Sequence, residues 1–369
     1  MIPVSIPYIA ANQKKYVNDC LDRNWISAFG KYDDLLCKGF SDYVGTKYAS
    51  TCSNGTAALH LALLACDVGK DDEVILPNFN GPYGLFAVGY VQAIPVLIDI
   101  DSKWDISLES LKSAVSKKTK ALIIPHLYGI PSKLKHIKQY CNDNNIFIIE
   151  DCAEAHGAKE GESIAGSIGD ISCFSFYANK ILAAGEGGIC LTSNEDLYQR
   201  INYFKNQTFN SGPIKSFIHK DIGHNYRMSD IHCAIAFSHF EEIALILQKR
   251  NDILEKYKYY LPEFIDCFQK EKKGFSNVNW VTTFELPGEI SSQRNELEEY
   301  LLTNNVQSRR FFAPMSIQPI FKNMEGLISE NIDNSVRISE SGIYLPTYIG
   351  LGDTSIKKVC DLIRTFLIK

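Results

Sequence analysis

Three stretches of this chain hold residue types that do chemistry when a fold brings them together. The first is CSNGTAALHLALLACDVG (52–69), where a small polar loop opens an apolar helix. Free backbone N–H groups and the dipole at a helix N-terminus attract anions, and Ser53 and Thr56 add hydroxyls. Helix capping by Ser53 or Asn54 is the alternative use of the same residues. The second is IFIIEDCAEAHGA (146–158), an apolar strand ending in Glu150 and Asp151, with Glu154 close behind. Ligands of open α/β sheets bind beyond the carboxyl ends of strands, so a carboxylate emerging there can pair with a buried cation. It can equally cap a turn or hold a salt bridge. The third is GDISCFSFYANKILAAGEGGICLTS (169–193), in which Lys180 follows an apolar strand and precedes a glycine-rich turn. Burial disfavours an ammonium and can release a free amine for Schiff-base chemistry; a surface lysine would have no such use.

Together these are the parts needed to hold pyridoxal phosphate (PLP). A cup at the helix start takes the phosphate. An aspartate at a strand end keeps the pyridine nitrogen protonated, so that the ring can act as an electron sink. A buried lysine carries the aldehyde. The order of the three along the chain fits that arrangement.

Elements must be found to position them. Residues 73–77, 94–100, 121–125, 146–151, 171–177 and 187–193 read as strands, rich in Ile, Val, Leu or Phe and without polar alternation. Such strands are buried on both faces of a helix-covered, mostly parallel sheet. Helical patterns at 55–66, 107–115 and 132–144 lie between them, which is the rhythm of an α/β domain. Residues 235–260 read as one long helix stopped by Pro262, a bridge to a smaller α/β unit. That unit is expected to hold a strand over 277–286, a helix near 292–304, a Pro-rich passage at 313–319 and a closing helix near 354–367. The expected division is a large domain over 1–245 and a small C-terminal domain over 246–369.

Composition narrows the classes further. At 369 residues the chain holds about two domains, and 45% hydrophobic with 22% charged residues is ordinary globular composition. A net charge of −5 argues against a general nucleic-acid binder, which would need a basic face. No apolar run is long enough to span a bilayer and the N-terminus does not read as a signal peptide, so no membrane partner is expected. The eleven cysteines form no CxxC pair and sit mostly in apolar runs, as reduced thiols of a cytoplasmic protein do. No metal site is expected: His232 and His239 share a helix with nothing nearby to complete one. His126 suits a strand-end site or a hydrogen-bonded core position, and KEKKG (270–274) a solvated loop.

The chain resembles the fold-type I PLP enzymes, the aspartate-aminotransferase-like fold. Within them it is similar to the DegT/StrS-type sugar aminotransferases, and most of all to the GDP-perosamine synthase-like enzymes. The stretches that carry the resemblance are NWISAFGKY (24–32), SNGTAALHLALLA (53–65), HLYG (126–129), IIEDCAEA (148–155), GDISCFSFYANKILAAGEGG (169–188), GHNYRMSDIHCAIA (223–236) and SRRFFAPM (308–315). The resemblance implies that Lys180 is the Schiff-base lysine and proton carrier, and that Asp151 partners the pyridine nitrogen. Glu154 would lie near the cofactor's phenolic oxygen. Gly55, Thr56 and Ser175 would bind the phosphate, and Asn225 would reach the phosphate held by a neighbouring subunit, giving a homodimer with shared sites. Trp25, Ser27, Arg227 and Arg309 fall on the substrate side. The implied reaction moves an amino group from an amino acid, glutamate by resemblance, to a nucleotide-linked keto sugar. GDP-4-keto-6-deoxymannose is the first expectation, with dTDP- or UDP-linked 4-keto-6-deoxy sugars and 3-keto sugars open.

Two stretches depart from the family pattern. The aromatic residue that stacks on the PLP ring falls, without gaps, on Gly81 of PNFNGPYGLFAV (77–88). Tyr83 can supply the ring if the loop is rebuilt around Gly81-Pro82, and Phe79 is the other possibility. Ala313 and Ser316 stand where similar enzymes tend to carry histidines on the sugar side. A relative that dehydrates its sugar replaces the lysine with histidine; Lys180 favours amino transfer.

Overall fold

The computed structural model describes residues 1–209, 217–329 and 331–368. Its centre is a sheet of eight strands. Seven of them are β1 (Tyr48–Cys52), β2 (Glu73–Pro77), β3 (Ile94–Ile98), β4 (Thr119–Pro125), β5 (Phe147–Asp151), β6 (Ile171–Ser175) and β7 (Gly188–Thr192), in the spatial order β1-β7-β6-β5-β4-β2-β3. The short strand Leu327–Ile328 adds to the outer edge of β3. The run from β6 to β3 is parallel, and β7 pairs antiparallel with both β6 and β1. Every strand expected between 73 and 193 is present: Glu73–Pro77 keeps its expected bounds, Thr119–Pro125 starts two residues earlier, and the others are one or two residues shorter. Strands β2, β6 and β7 are buried along their whole length, so their apolar runs lack alternation.

Helices cover both faces. Gly55–Ala65, which is apolar all round, is accordingly buried at all but three of its positions (Gly55, Thr56 and Leu64). Asn54 starts it, its Oδ1 accepting from Ala57 N at 2.8 Å. The sheet brings the ends of β1 and β6 together at Gly188, which pairs with both Cys52 and Ser175. A Cβ on Gly188 would lie 2.6 Å from the Asn54 carbonyl oxygen, so only glycine lets the helix start so close to β7.

The smaller unit is a three-stranded antiparallel sheet, Thr282–Glu285, Gly342–Leu345 and Arg309–Arg310, packed on the helices Ile243–Tyr260, Arg294–Thr303 and Asp353–Leu367. The long helix expected over 235–260 is two helices, Asp230–Glu241 and Ile243–Tyr260. They part at Glu242, whose carboxylate accepts from Tyr8 Oη (2.7 Å) and Ala11 N (2.8 Å). The break is thus made by the N-terminal segment, far away in sequence. The chain near the end also returns to the large sheet: Asp99 accepts from the amides of Asn334 and Ser335 and so starts the helix Asp333–Ser341. All eleven cysteines are unpaired, and all but Cys37 are fully buried. No helix among the described residues is long and apolar enough to cross a membrane.

Candidate active site

A cavity of about 630 Å³ opens beyond the carboxyl ends of β5 and β6. Gly55, Thr56, Tyr83, Asp151, Glu154, Ser175 and Lys180 all line it. Lys180 sits in the loop after β6, its amide donating to the Tyr177 carbonyl at 2.9 Å. Its Nζ lies 3.7 Å from Glu154 Oε1 and 4.0 Å from the centre of the Trp280 ring. Burial pushes the Lys180 amine down from its ordinary value, against the pull of Glu154 and Asp151. Burial also pushes Asp151 up, and it raises Glu154 to about 7, with the Lys180 charge opposing. A base pushed down beside acids pushed up is what a dry pocket does to charge, and it leaves the amine ready to act as a nucleophile.

The two carboxylates are held from behind. Glu154 Oε2 accepts from Tyr128 N at 2.8 Å, which leaves Oε1 for Lys180. Tyr128 makes that bond from a left-handed conformation (φ 53°), and Gly129 follows with φ 89°. A Cβ on Gly129 would lie 2.1 Å from the Val278 carbonyl oxygen, so the turn requires glycine there. Glu150, next to Asp151, is wholly buried and points away from the cavity. It accepts from His126 Nε2 (2.9 Å) and from the amides of Gly166 (2.7 Å), Ile168 (2.8 Å) and Gly169 (2.5 Å). His126 Nδ1 in turn accepts from Ser132 N at 3.0 Å. His126 is therefore the hydrogen-bonded core histidine of the two readings. Although His126, Glu150 and Cys152 stand close enough together to suggest a metal site, both ring nitrogens are committed.

The helix start forms the opposite wall. The amides of Gly55 and Thr56 have no acceptor within their helix. A Cβ on Gly55 would stand 2.8 Å from Ser175 Cβ, so a cradle of bare backbone faces the Ser175 side chain. The donor set fits PLP: open amides and a hydroxyl for a phosphate, the Asp151 carboxylate for a ring nitrogen, and the Lys180 amine for an aldehyde. Tyr83 begins the helix Tyr83–Tyr90 and turns its ring back over Gly81, where a Cβ would lie 2.8 Å from Tyr83 Cε2. The missing side chain at position 81 is thus the space that the Tyr83 ring needs. Phe79 is fully buried against Trp104, Tyr128 and Phe311, outside the cavity.

The remaining expected residues lie elsewhere on the single chain. Asn225 is exposed and bridges Asn206 in backbone pairing. Trp25 lines a separate shallow depression with Arg23, Phe29 and Lys31, and Ser27 is exposed beside it. Arg227 donates to Asn206 Oδ1 (2.8 Å) and Gln207 Oε1 (3.1 Å). Arg309 is exposed in the small sheet, paired with Tyr344, which does line the cavity. Sequence reasoning missed Trp280, Phe312 and Tyr344. Phe312 and Trp280 fall inside quoted stretches, SRRFFAPM and a strand candidate, but nothing local says that either faces a site. His232 and His239 serve packing: Nδ1 of His232 meets the Ser229 hydroxyl at the helix cap, and His239 meets Gln13.

Comparisons with known proteins identify the family. The model of the DegT/DnrJ/EryC1/StrS aminotransferase family matches residues 7–364. GDP-perosamine synthase of Vibrio cholerae is 34% identical over 99% of this chain and 99% of its own. A Streptococcus pneumoniae protein solved in its PLP form superposes with a TM-score of 0.90 over 99% of this chain and 98% of that one, at 23% identity. GDP-4-keto-6-deoxymannose-3-dehydratase with bound GDP-perosamine does so at 0.89 over 98% of this chain and 100% of that one, at 21% identity. The chain belongs to the DegT/DnrJ/EryC1/StrS aminotransferase family and is a PLP-dependent aminotransferase of that fold.

Proposed function

We propose that this protein moves an amino group from an amino acid, glutamate first, to a nucleotide-linked keto sugar, and that the sugar is GDP-4-keto-6-deoxymannose, giving GDP-perosamine. The observation that carries the reading is the buried Lys180 amine set between Glu154, Asp151 and an open helix start in a cavity large enough for a cofactor and a substrate. The choice of sugar is supported by the 34% identity to a GDP-perosamine synthase.

Bound PLP supplies the electron sink that lets an amino group change carbons. Lys180 Nζ anchors the cofactor and moves the proton between donor and acceptor carbons. The Asp151 carboxylate would pair with the ring nitrogen and keep a proton on it. Glu154 fixes the phenolic side, held there by the Tyr128 amide. The amides of Gly55 and Thr56 and the Ser175 hydroxyl take the phosphate, and the Tyr83 ring covers one face. Asn225, exposed on its own chain, serves the cofactor of a second copy, so the working form is a homodimer, in the cytoplasm. Trp25, Ser27, Arg227 and Arg309 contribute to the sugar-nucleotide side of the completed site.

A panel of GDP-, dTDP- and UDP-linked 4-keto and 3-keto sugars, incubated with glutamate and read by mass, tests this. Amination of the GDP-linked 4-keto sugar is expected. Amination of another member alone would replace the substrate, and amination of none would end the transferase reading.

A further inference from the structure

Trp280 stands against the reacting amine and has no part in the roles above. Its side chain is buried, and Lys180 Nζ lies 4.0 Å from the ring centre. Its indole N–H donates to the Asn179 carbonyl at 2.9 Å, which ties the ring to the residue just before Lys180. Its own carbonyl accepts from the buried Arg250 at 2.7 Å. The Tyr128 ring lies nearly parallel to it (6.0 Å, 12°), and Phe312 lies parallel to Tyr128 (5.0 Å, 12°). The indole is therefore fixed at its N–H, at its backbone and by a stack of rings. Glu154, at 3.7 Å from Nζ, is an ion-pair partner beyond hydrogen-bond reach. The amine thus has a π face beside it in addition to a distant carboxylate.

We propose that Trp280 is a positioning residue acting through Lys180: its indole face holds the amine as an ammonium whenever the amine is not carrying the cofactor. The inference rests on the reading of Lys180 given above. The negative face of an aromatic ring attracts a cation and has little hold on a neutral amine. The contact therefore favours the protonated amine and opposes the dry surroundings, which favour the neutral one. In a cycle where Lys180 picks up a proton and later returns it, the ring gives the loaded amine one defined place to wait. The other charged and titratable groups around the amine include Asp151 at the end of β5, Glu154 in the loop after it, Tyr83, Tyr177, Glu186 and Tyr344 lining the cavity, and His156 beneath. Arg250 stands on the Trp280 carbonyl.

The test uses the full-length protein freed of cofactor. Lys180 is labelled with a limiting amine-reactive ester across a pH series, and the labelled peptide is read by mass, with exposed lysines as internal reference. Only the neutral amine reacts, so the midpoint reports its protonation. Trp280→Leu is expected to lower the midpoint by about one pH unit, because the ammonium loses its ring face. Trp280→Phe, which keeps a weaker face, is expected to lower it by less. A wild-type midpoint, or a higher one, in a folded variant overturns the proposal. If Trp280→Leu fails to fold by circular dichroism, Trp280→Phe decides alone. Lys180→Ala separates the two claims. If it keeps the visible absorption of bound PLP, the reading of Lys180 falls. If it loses that absorption while the Trp280 variants titrate as wild type, only the role of Trp280 falls.

Discussion

At the residue level, two carboxylates three positions apart do different work. Asp151 is pushed up by burial but keeps the Ala153 amide at 3.2 Å, and it is placed to hold a proton on the cofactor ring. Asp151→Asn keeps the shape and loses the charge, so kcat is expected to fall on the order of a hundredfold or more with little loss of fold, read by steady-state kinetics. Glu154 offers a cleaner readout in the cofactor-free protein. Its folded value, about 7, lies above its ordinary 4.5, so the folded chain holds this proton more tightly than the unfolded one. Stability linked to it is present below the ordinary value and is lost as pH rises through about 7. Glu154→Gln removes that loss. Urea unfolding of the two cofactor-free proteins should show the variant gaining on wild type between about pH 5 and pH 7.5; a constant gap would contradict the assignment.

Elements bring these residues together, and here the limits of reading a sequence are physical. Lys180, Asp151 and Glu154 are legible because each lies at the end of an apolar strand or within a few residues after it, and parallel strands carry their ends to one edge of a sheet. The helix start at Gly55 was legible from its small polar loop. Trp280, Phe312 and Tyr344 are not, because they reach the cavity from the smaller sheet or the residues flanking its strands, and no local pattern marks the direction of a ring. The break at Glu242 was hidden for the same reason: the residues that make it, Tyr8 and Ala11, lie at the other end of the chain. Glu150 reads as a site carboxylate next to Asp151, yet alternation along β5 turns it to the opposite face, where it gathers His126 and the 166–169 loop. Glu150→Ala would leave the amides of Gly166, Ile168 and Gly169 and the His126 imidazole unpaired, and is expected to cost about 3–5 kcal/mol in urea unfolding. Gly55→Ala acts differently. Its Cβ meets Ser175 at 2.8 Å, so the expected effect is weaker binding of PLP with the apoprotein fold retained, measured by titration of the visible spectrum.

At the scale of the whole molecule, one chain offers Lys180 and the helix start in a cavity, while Asn225, Trp25 and Ser27 lie on exposed surface outside it. A homodimer that shares its sites accounts for both observations. Mixing Lys180→Ala with Asn225→Ala tests this, because a mixed dimer then has one intact site. After subunit exchange about a quarter of wild-type sites should return; no recovery in confirmed mixed dimers would contradict the shared site. The central claim, that Lys180 is the amine that carries PLP in an aminotransferase, has the most direct test. The wild-type protein is loaded with PLP, reduced with borohydride, digested and read by mass. The account expects the phosphopyridoxyl increment on the peptide containing Lys180, and its loss from the loaded enzyme when glutamate is added before reduction. An increment on another lysine, or none at all, would contradict it.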